Sequence, residues 1–203
     1  MRTPIKNAAV LLSGSGRTLE NFLVRIRRGD LPLNIVAVVS NRSGVRGLDL
    51  AEAADIPCAI FPRRDFPDIK AHNEAINGWL AEFEIHLIVL AGYLSFYIPP
   101  EDFDGPTVNI HPALLPKYGG KGYYGDRVHQ AVLDSGDTHT GCTVHLVDDQ
   151  YDHGRILGQR EVPVQPGDDV HALADRVFSA ECQLYPEVLA RLVRGLSGKS
   201  SAG

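Results

Sequence analysis

In Asn109-Ile110-His111-Pro112 an amide and an imidazole stand two residues apart. In an extended segment, residues i and i+2 face the same way, so the two side chains are presented together. Such a pair suits acyl transfer, where an oxyanion needs a neutral donor and a leaving group needs a proton. The same residues also fit a plainer role, a strand-end Asn and His that satisfy turn backbone groups.

Three further segments carry chemistry. Ser13-Gly14-Ser15-Gly16-Arg17-Thr18 lies between a short apolar run and a helical pattern. Amides at such a helix start point outward at the positive end of the helix dipole and suit phosphate or carboxylate. A tight turn with no ligand explains the glycines equally well. A dinucleotide is disfavoured, because the third glycine is missing and the second strand ends in Asn41-Arg42, where a ribose-binding acid belongs. Asp148-Asp149-Gln150-Tyr151-Asp152-His153-Gly154 is rich in oxygen ligands. It lacks the regular spacing of a calcium loop, and no zinc pattern is present, so no metal is expected. Solvated turn charge accounts for Asp148 and Asp149, whereas Asp152 suits a partner for a catalytic imidazole. Glu181 lies in a helical pattern, as a solvated charge or as an acceptor for a substrate amine.

These segments need positioning, and the pattern around them is that of βαβ units. Strands are predicted at Ala8–Leu12, Asn34–Ser40, Cys58–Phe61, Ile85–Ala91 and Thr107–Ile110. Helices are predicted at Thr18–Arg28, Arg46–Ala54 and Asp68–Glu82. Residues 115–125 read as an active-site loop. A strand pair follows, Gly141–Val147 and Ile156–Val164, and then a long helix, Asp168–Arg194, that Pro186 should kink or divide. The fold class is therefore α/β: one domain over residues 1–197, with a mostly parallel open twisted sheet, a Rossmann-like N-terminal half and helices on both faces. Residues 198–203 read as a flexible polar tail.

Composition narrows the partners. Twenty Lys and Arg against 25 Asp and Glu give a formal charge of −5, which argues against general nucleic-acid or membrane binding. No apolar run approaches the roughly 20 residues of a membrane span, and no signal-peptide core is visible. Cys58, Cys142 and Cys182 form no CxxC pair and read as reduced, buried residues of a cytoplasmic protein.

Together, Ser13-Gly-Ser-Gly, Val89-Leu-Ala-Gly-Tyr, Asn109-Ile-His-Pro-Ala-Leu-Leu-Pro-Lys, Thr140-Gly-Cys-Thr-Val-His and Tyr151-Asp-His-Gly occur in an order that resembles the glycinamide ribonucleotide formyltransferases. These are folate-dependent enzymes of purine synthesis, and the similarity runs from about Ala8 to Leu192. The resemblance implies a formyl transfer from 10-formyltetrahydrofolate to a small-molecule amine, with no metal, in a monomer or homodimer. It makes His111 the catalytic acid, Asn109 the oxyanion amide and Asp152 the carboxylate assisting His111. Gly16, Arg17 and Thr18 align with the phosphate-gripping segment, and Pro112, His145 and Glu181 with contacts to the acceptor. Leu94, Ser95, Phe96 and Tyr97, together with Asn109, align with folate contacts, and the backbone over 148–152 with the pterin seat.

The chain departs from the family pattern at several points. Arg17 stands for a small hydroxyl residue and Thr18 for Asn. Ser95 and Ile69 stand where Arg is common, leaving Lys70 as a contact for the folate glutamate tail. The 119–126 loop is longer than in many members. The nearest rival is an N-formyltransferase acting on an amino-sugar nucleotide.

Overall fold

The structure is a computed structural model that describes residues 5–196; the tail expected at 198–203 lies outside the described residues. The described chain divides into two compact units, residues 5–107 with 189–196, and residues 108–188.

The first unit begins with β1 (Lys6–Leu12), α1 (Arg17–Arg28), β2 (Leu33–Ser40) and α2 (Arg46–Glu52). It continues through β3 (Cys58–Ile60), α3 (Ile69–Leu80) and β4 (Leu87–Leu90). Its strands run in the order β3-β2-β1-β4, and the pairings of β1 with β2, β1 with β4 and β2 with β3 are all parallel. That is the order of a Rossmann half. The reason is local. Val10-Leu11-Leu12 and Leu87-Ile88-Val89-Leu90 are buried without alternation, which only a sheet covered on both faces allows. Leu19 and Phe22 of α1 and Ile76 and Leu80 of α3 are buried at helical spacing. Asp68 caps α3 by accepting the Ala71 N–H at 2.8 Å.

The second unit starts within β5 (Thr107–His111), at Val108, and holds α4 (Asp126–Ser135), β6 (His139–Leu146) and β7 (Ile156–Pro163). The strands are antiparallel, in the order β5-β6-β7. The last helix, α5 (Val170–Leu196), belongs to this unit as far as Val188.

Three expectations need correction. Sequence pattern assigns no element between Gly125 and Gly141, yet α4 is there. It is ten residues long, and its buried stripe is only Val128, His129 and Val132, too narrow for periodicity to stand out. Pro186 does not divide α5, which continues on both sides of it. Buried neighbours on either side, Leu184, Tyr185, Val188 and Leu189, outweigh the one backbone bond that proline removes. Of the three free cysteines only Cys142 is buried, where burial pushes its thiol up to about 12; Cys58 and Cys182 are half-buried.

Tyr185 is fully buried, and its hydroxyl donates to the Val108 carbonyl at 2.9 Å, next to Asn109. Tyr185→Phe removes that bond and is expected to lower stability by about 1 kcal/mol. Urea unfolding should show a lower midpoint at an unchanged slope.

Candidate active site

The register of β5 on β6 sets Asn109 opposite His145 and His111 opposite Thr143. Facing residues of an antiparallel pair share one side of the sheet, so the amide and two imidazoles gather there. The β6–β7 turn brings Asp152 to the same place, its side chain only 10% exposed. Its Oδ2 lies 3.4 Å from His111 Nδ1 and accepts the Gly120 N–H at 3.0 Å. Its Oδ1 lies 3.4 Å from Asn109 Nδ2 and 3.6 Å from His145 Nε2.

Partners assign the protons on the two rings. His145 Nδ1 meets the Leu146 carbonyl at 2.8 Å, which only accepts, so this nitrogen carries the hydrogen. His145 Nε2 lies 3.1 Å from Asn109 Nδ2. His111 Nε2 donates to the Tyr118 carbonyl at 2.7 Å. Its Nδ1 faces a carboxylate, a contact that attracts only when that nitrogen also carries a proton. His111 therefore faces an oxygen acceptor on each side, the arrangement that suits a proton donor.

Burial pushes the Asp152 carboxyl upward. The His111 and His145 rings and the Gly120 amide more than offset this, holding it well below the usual carboxylate range. On α4, His129 is buried and burial lowers it, opposed by the nearby Asp126 carboxylate and reinforced by His111. Thus burial disfavours charge on His129, while His111 is flanked by acceptors.

Backbone strain marks the same place. Tyr118 and Asp152 have φ of 57° and 54°, a region that residues other than glycine rarely occupy. Tyr118 is held there by its own ring: the hydroxyl donates to Asp137 at 2.7 Å, and Lys117 reaches the same carboxylate at 2.8 Å. The His111-to-Leu115 turn is pinned by Thr143, whose hydroxyl donates to the Ala113 carbonyl at 2.6 Å and accepts the Leu115 N–H at 3.0 Å. At Gly154 a Cβ would sit 1.9 Å from the Leu146 carbonyl, so only glycine closes this turn.

The first unit holds the other residues expected for the phosphate and the folate, and the second unit holds Pro112 and Glu181. Gly16 caps α1 in the left-handed conformation, and Arg17 and Thr18 open that helix. The 94–97 segment is fixed by polar side chains at several points. Buried Ser13 accepts the Leu94 N–H at 2.8 Å, and Asn41 donates to the Ser95 hydroxyl at 2.7 Å. Asn73 donates to the Phe96 carbonyl at 3.2 Å and accepts the Ile98 N–H at 3.1 Å. Leu94 is 45% exposed, whereas Tyr97 is 1% exposed and its hydroxyl donates to Asn77 at 2.6 Å. The Tyr97 side chain thus belongs to the core and offers a ligand only its backbone. Lys70 stands exposed on the first turn of α3, 3.8 Å from Glu74. Glu181, on α5, lies near enough to Cys142 and Tyr185 to push both up, behind burial as the larger cause.

Sequence reasoning does not find Asn73, Tyr118, Gly120, Thr143 or His129. Only Asn73 has a visible signal, a polar residue three before Ile76 on a buried stripe.

The formyl transferase family model matches residues 6–189. A phosphoribosylglycinamide formyltransferase of Haemophilus influenzae is 37% identical over 193 residues, covering 94% of this chain and 89% of the relative. The chloroplastic enzyme of that name from Vigna unguiculata is 41% identical over 191 residues, covering 92% of this chain; the chain spans 61% of that protein. Among solved structures, glycinamide ribonucleotide transformylase 1 from Symbiobacterium toebii superposes with a TM-score of 0.86 at 32% identity, covering 94% of this chain and 89% of that one. The α/β fold expected from the sequence is thus shared along nearly the whole chain.

Because Asp152 is held low, its stabilising contribution is present above the value it has in the unfolded chain, about 4, and is lost as pH falls through the lower folded value. Urea midpoints measured from about pH 6 down to pH 3 should fall more steeply for the native chain than for Asp152→Asn. Equal slopes would mean that the carboxylate titrates as an ordinary surface group.

Proposed function

We propose a function from one premise: this chain belongs to the formyl transferase family. It moves a formyl group from 10-formyltetrahydrofolate to the amine of glycinamide ribonucleotide, a step of purine biosynthesis. The formyltransferase domain is residues 1–197. It works on small molecules in the cytoplasm as a monomer or homodimer, without nucleic acid or membrane. No helix among the described residues is long and apolar enough to cross a membrane.

The uncharged amine attacks the formyl carbon, and the carbonyl electron pair moves to oxygen. Asn109 and doubly protonated His111 stabilise that oxyanion. The bond to the folate nitrogen then breaks; this nitrogen takes a proton, and the attacking nitrogen gives one up. His111 is the acid, and Asp152, facing its Nδ1, orients the ring. In this structure the His111 Nε2 proton rests on the Tyr118 carbonyl, so the working proton is the one this loop segment guards. Asn109 and His111 supply the donors that the oxyanion needs, so the step requires no metal.

The acceptor's phosphate is held by Gly16, Arg17 and Thr18, and its amine end by Pro112, His145 and Glu181. Leu94, Ser95, Phe96 and the backbone at Tyr97 take the folate, with Asn109 facing the formyl group and Lys70 the glutamate tail. One observation carries this reading above the rest: a buried carboxylate held ionised between His111, His145 and the Gly120 amide, with Asn109 alongside.

Formyl transfer should be assayed with 10-formyltetrahydrofolate, offering glycinamide ribonucleotide beside an amino-sugar nucleotide. Product is expected with glycinamide ribonucleotide; product with the sugar alone would overturn the acceptor assignment. His111→Ala and Asp152→Asn are each expected to lower turnover by about 10²- to 10⁴-fold while circular dichroism stays that of the native fold. Retained turnover in either would remove the mechanism.

A further inference from the structure

The start of α2 grips two carbonyls of the first glycine loop. The Gly47 N–H donates to the Gly14 carbonyl at 3.1 Å, and Arg46 Nη1 donates to the Ser15 carbonyl at 3.2 Å. In a trans peptide the C=O and N–H are coplanar and point opposite ways. Fixing these two carbonyls therefore turns the N–H groups of Ser15 and Gly16 away from α2. There they join the first N–H groups of α1, at the positive end of a twelve-residue helix.

Two residues make this grip, and they leave it little latitude. A Cβ at Gly47 would meet the Leu12 side chain at 2.8 Å and the Gly14 carbonyl at 3.0 Å; one at Gly16 would come within 2.6 Å of Gly47 Cα. Arg46 is held in turn by Glu20 of α1, which accepts Nη2 at 2.7 Å. One guanidinium thus straps the loop to the helix that the loop opens. The side chains of this pair are 49% and 45% exposed, and pairs so exposed add little to stability. Its effect is on the aim of a peptide group rather than on the folding equilibrium.

We propose that Arg46 is a positioning residue for the acceptor's phosphate: it locks the Ser15–Gly16 peptide with its amide facing the anion, and its charge adds to the field at the helix end. This rests on the reading of residues 16–18 as the phosphate seat. Arg46→Met keeps the length and loses the fork. Arg46→Lys keeps the charge and one donor at a time, because an ammonium cannot hold Ser15 and Glu20 in fixed geometry.

In Arg46→Met the KM for glycinamide ribonucleotide should rise about tenfold, with kcat and the KM for 10-formyltetrahydrofolate within about twofold; Arg46→Lys should recover part of the loss. Stabilisation of the folded protein by inorganic phosphate, read as a thermal shift, should shrink in the same order. An acceptor KM and a phosphate shift both unchanged in Arg46→Met would overturn the proposal. So would an equal fall in kcat and rise in both KM values, the mark of a damaged fold. Should the native chain fail to formylate glycinamide ribonucleotide, the underlying reading falls, and the phosphate shift alone then decides: reduced in Arg46→Met, it supports the positioning role; equal in both proteins, it overturns it.

Discussion

A carboxylate out of water sets the terms for this site. Left alone, Asp152 would take up a proton or move to the surface, since an unpaired buried charge costs several kcal/mol. Instead it stays ionised because it meets two imidazoles and a backbone amide at once. Each of those partners imposes a demand on the chain. The imidazoles must sit at a fixed spacing, which the β5–β6 register supplies. The amide must come from Gly120, which requires the chain to turn back through Tyr118 at positive φ. The turn that carries Asp152 must pass the Leu146 carbonyl so closely that position 154 admits no side chain.

The strain is informative because it is compensated. Positive φ at Tyr118 is held by a phenol and a lysine meeting on one carboxylate, Asp137, at the end of α4. Nothing else in that stretch needs such an anchor; the flanking residues 121–127 are exposed. Strain that is over-determined by its surroundings is a feature of sites where geometry has a task. Here the task is to set a carbonyl against one nitrogen of His111 while Asp152 takes the other. Two acceptors on one ring are a poor arrangement for a structural histidine, which is better served by one donor and one acceptor. They are a good arrangement for a ring that must hold a proton to give away.

Much of this was legible in the sequence, and the part that was not shares one cause. Asn109 and His111 could be paired by the period of a strand, and Asp152 could be singled out as a carboxylate held before a glycine turn. Long apolar runs such as 8–12 and 85–91 announce buried strands because their surroundings are apolar on both sides. What the sequence hides are contacts made by backbone atoms and by short polar side chains reaching across the chain. The Tyr118 carbonyl, the Gly120 amide and the Thr143 hydroxyl have no periodicity, so no pattern within the chain reveals them. Helix α4 escapes for a related reason: three buried residues in ten give too faint a stripe.

The buried Tyr97 shows the reverse error, in which a motif is read as more than it is. A four-residue segment aligned with ligand contacts invites all four side chains into the site. In an extended segment, however, alternate residues face opposite ways, and one half must serve the core. Leu94 is exposed while Tyr97 is sealed against Asn77. Ser13, Asn41 and Asn73 then fix the segment through its backbone and one hydroxyl, without occupying the exposed side. Ser95 in place of an arginine removes a charge and gives Asn41 a hydroxyl to bind, while the main-chain bonds from Ser13 and Asn73 hold the rest of the segment. Ligand preference at that edge can thus change independently of the fold, whereas at Asp152 the chemistry and the fold are set by the same bonds.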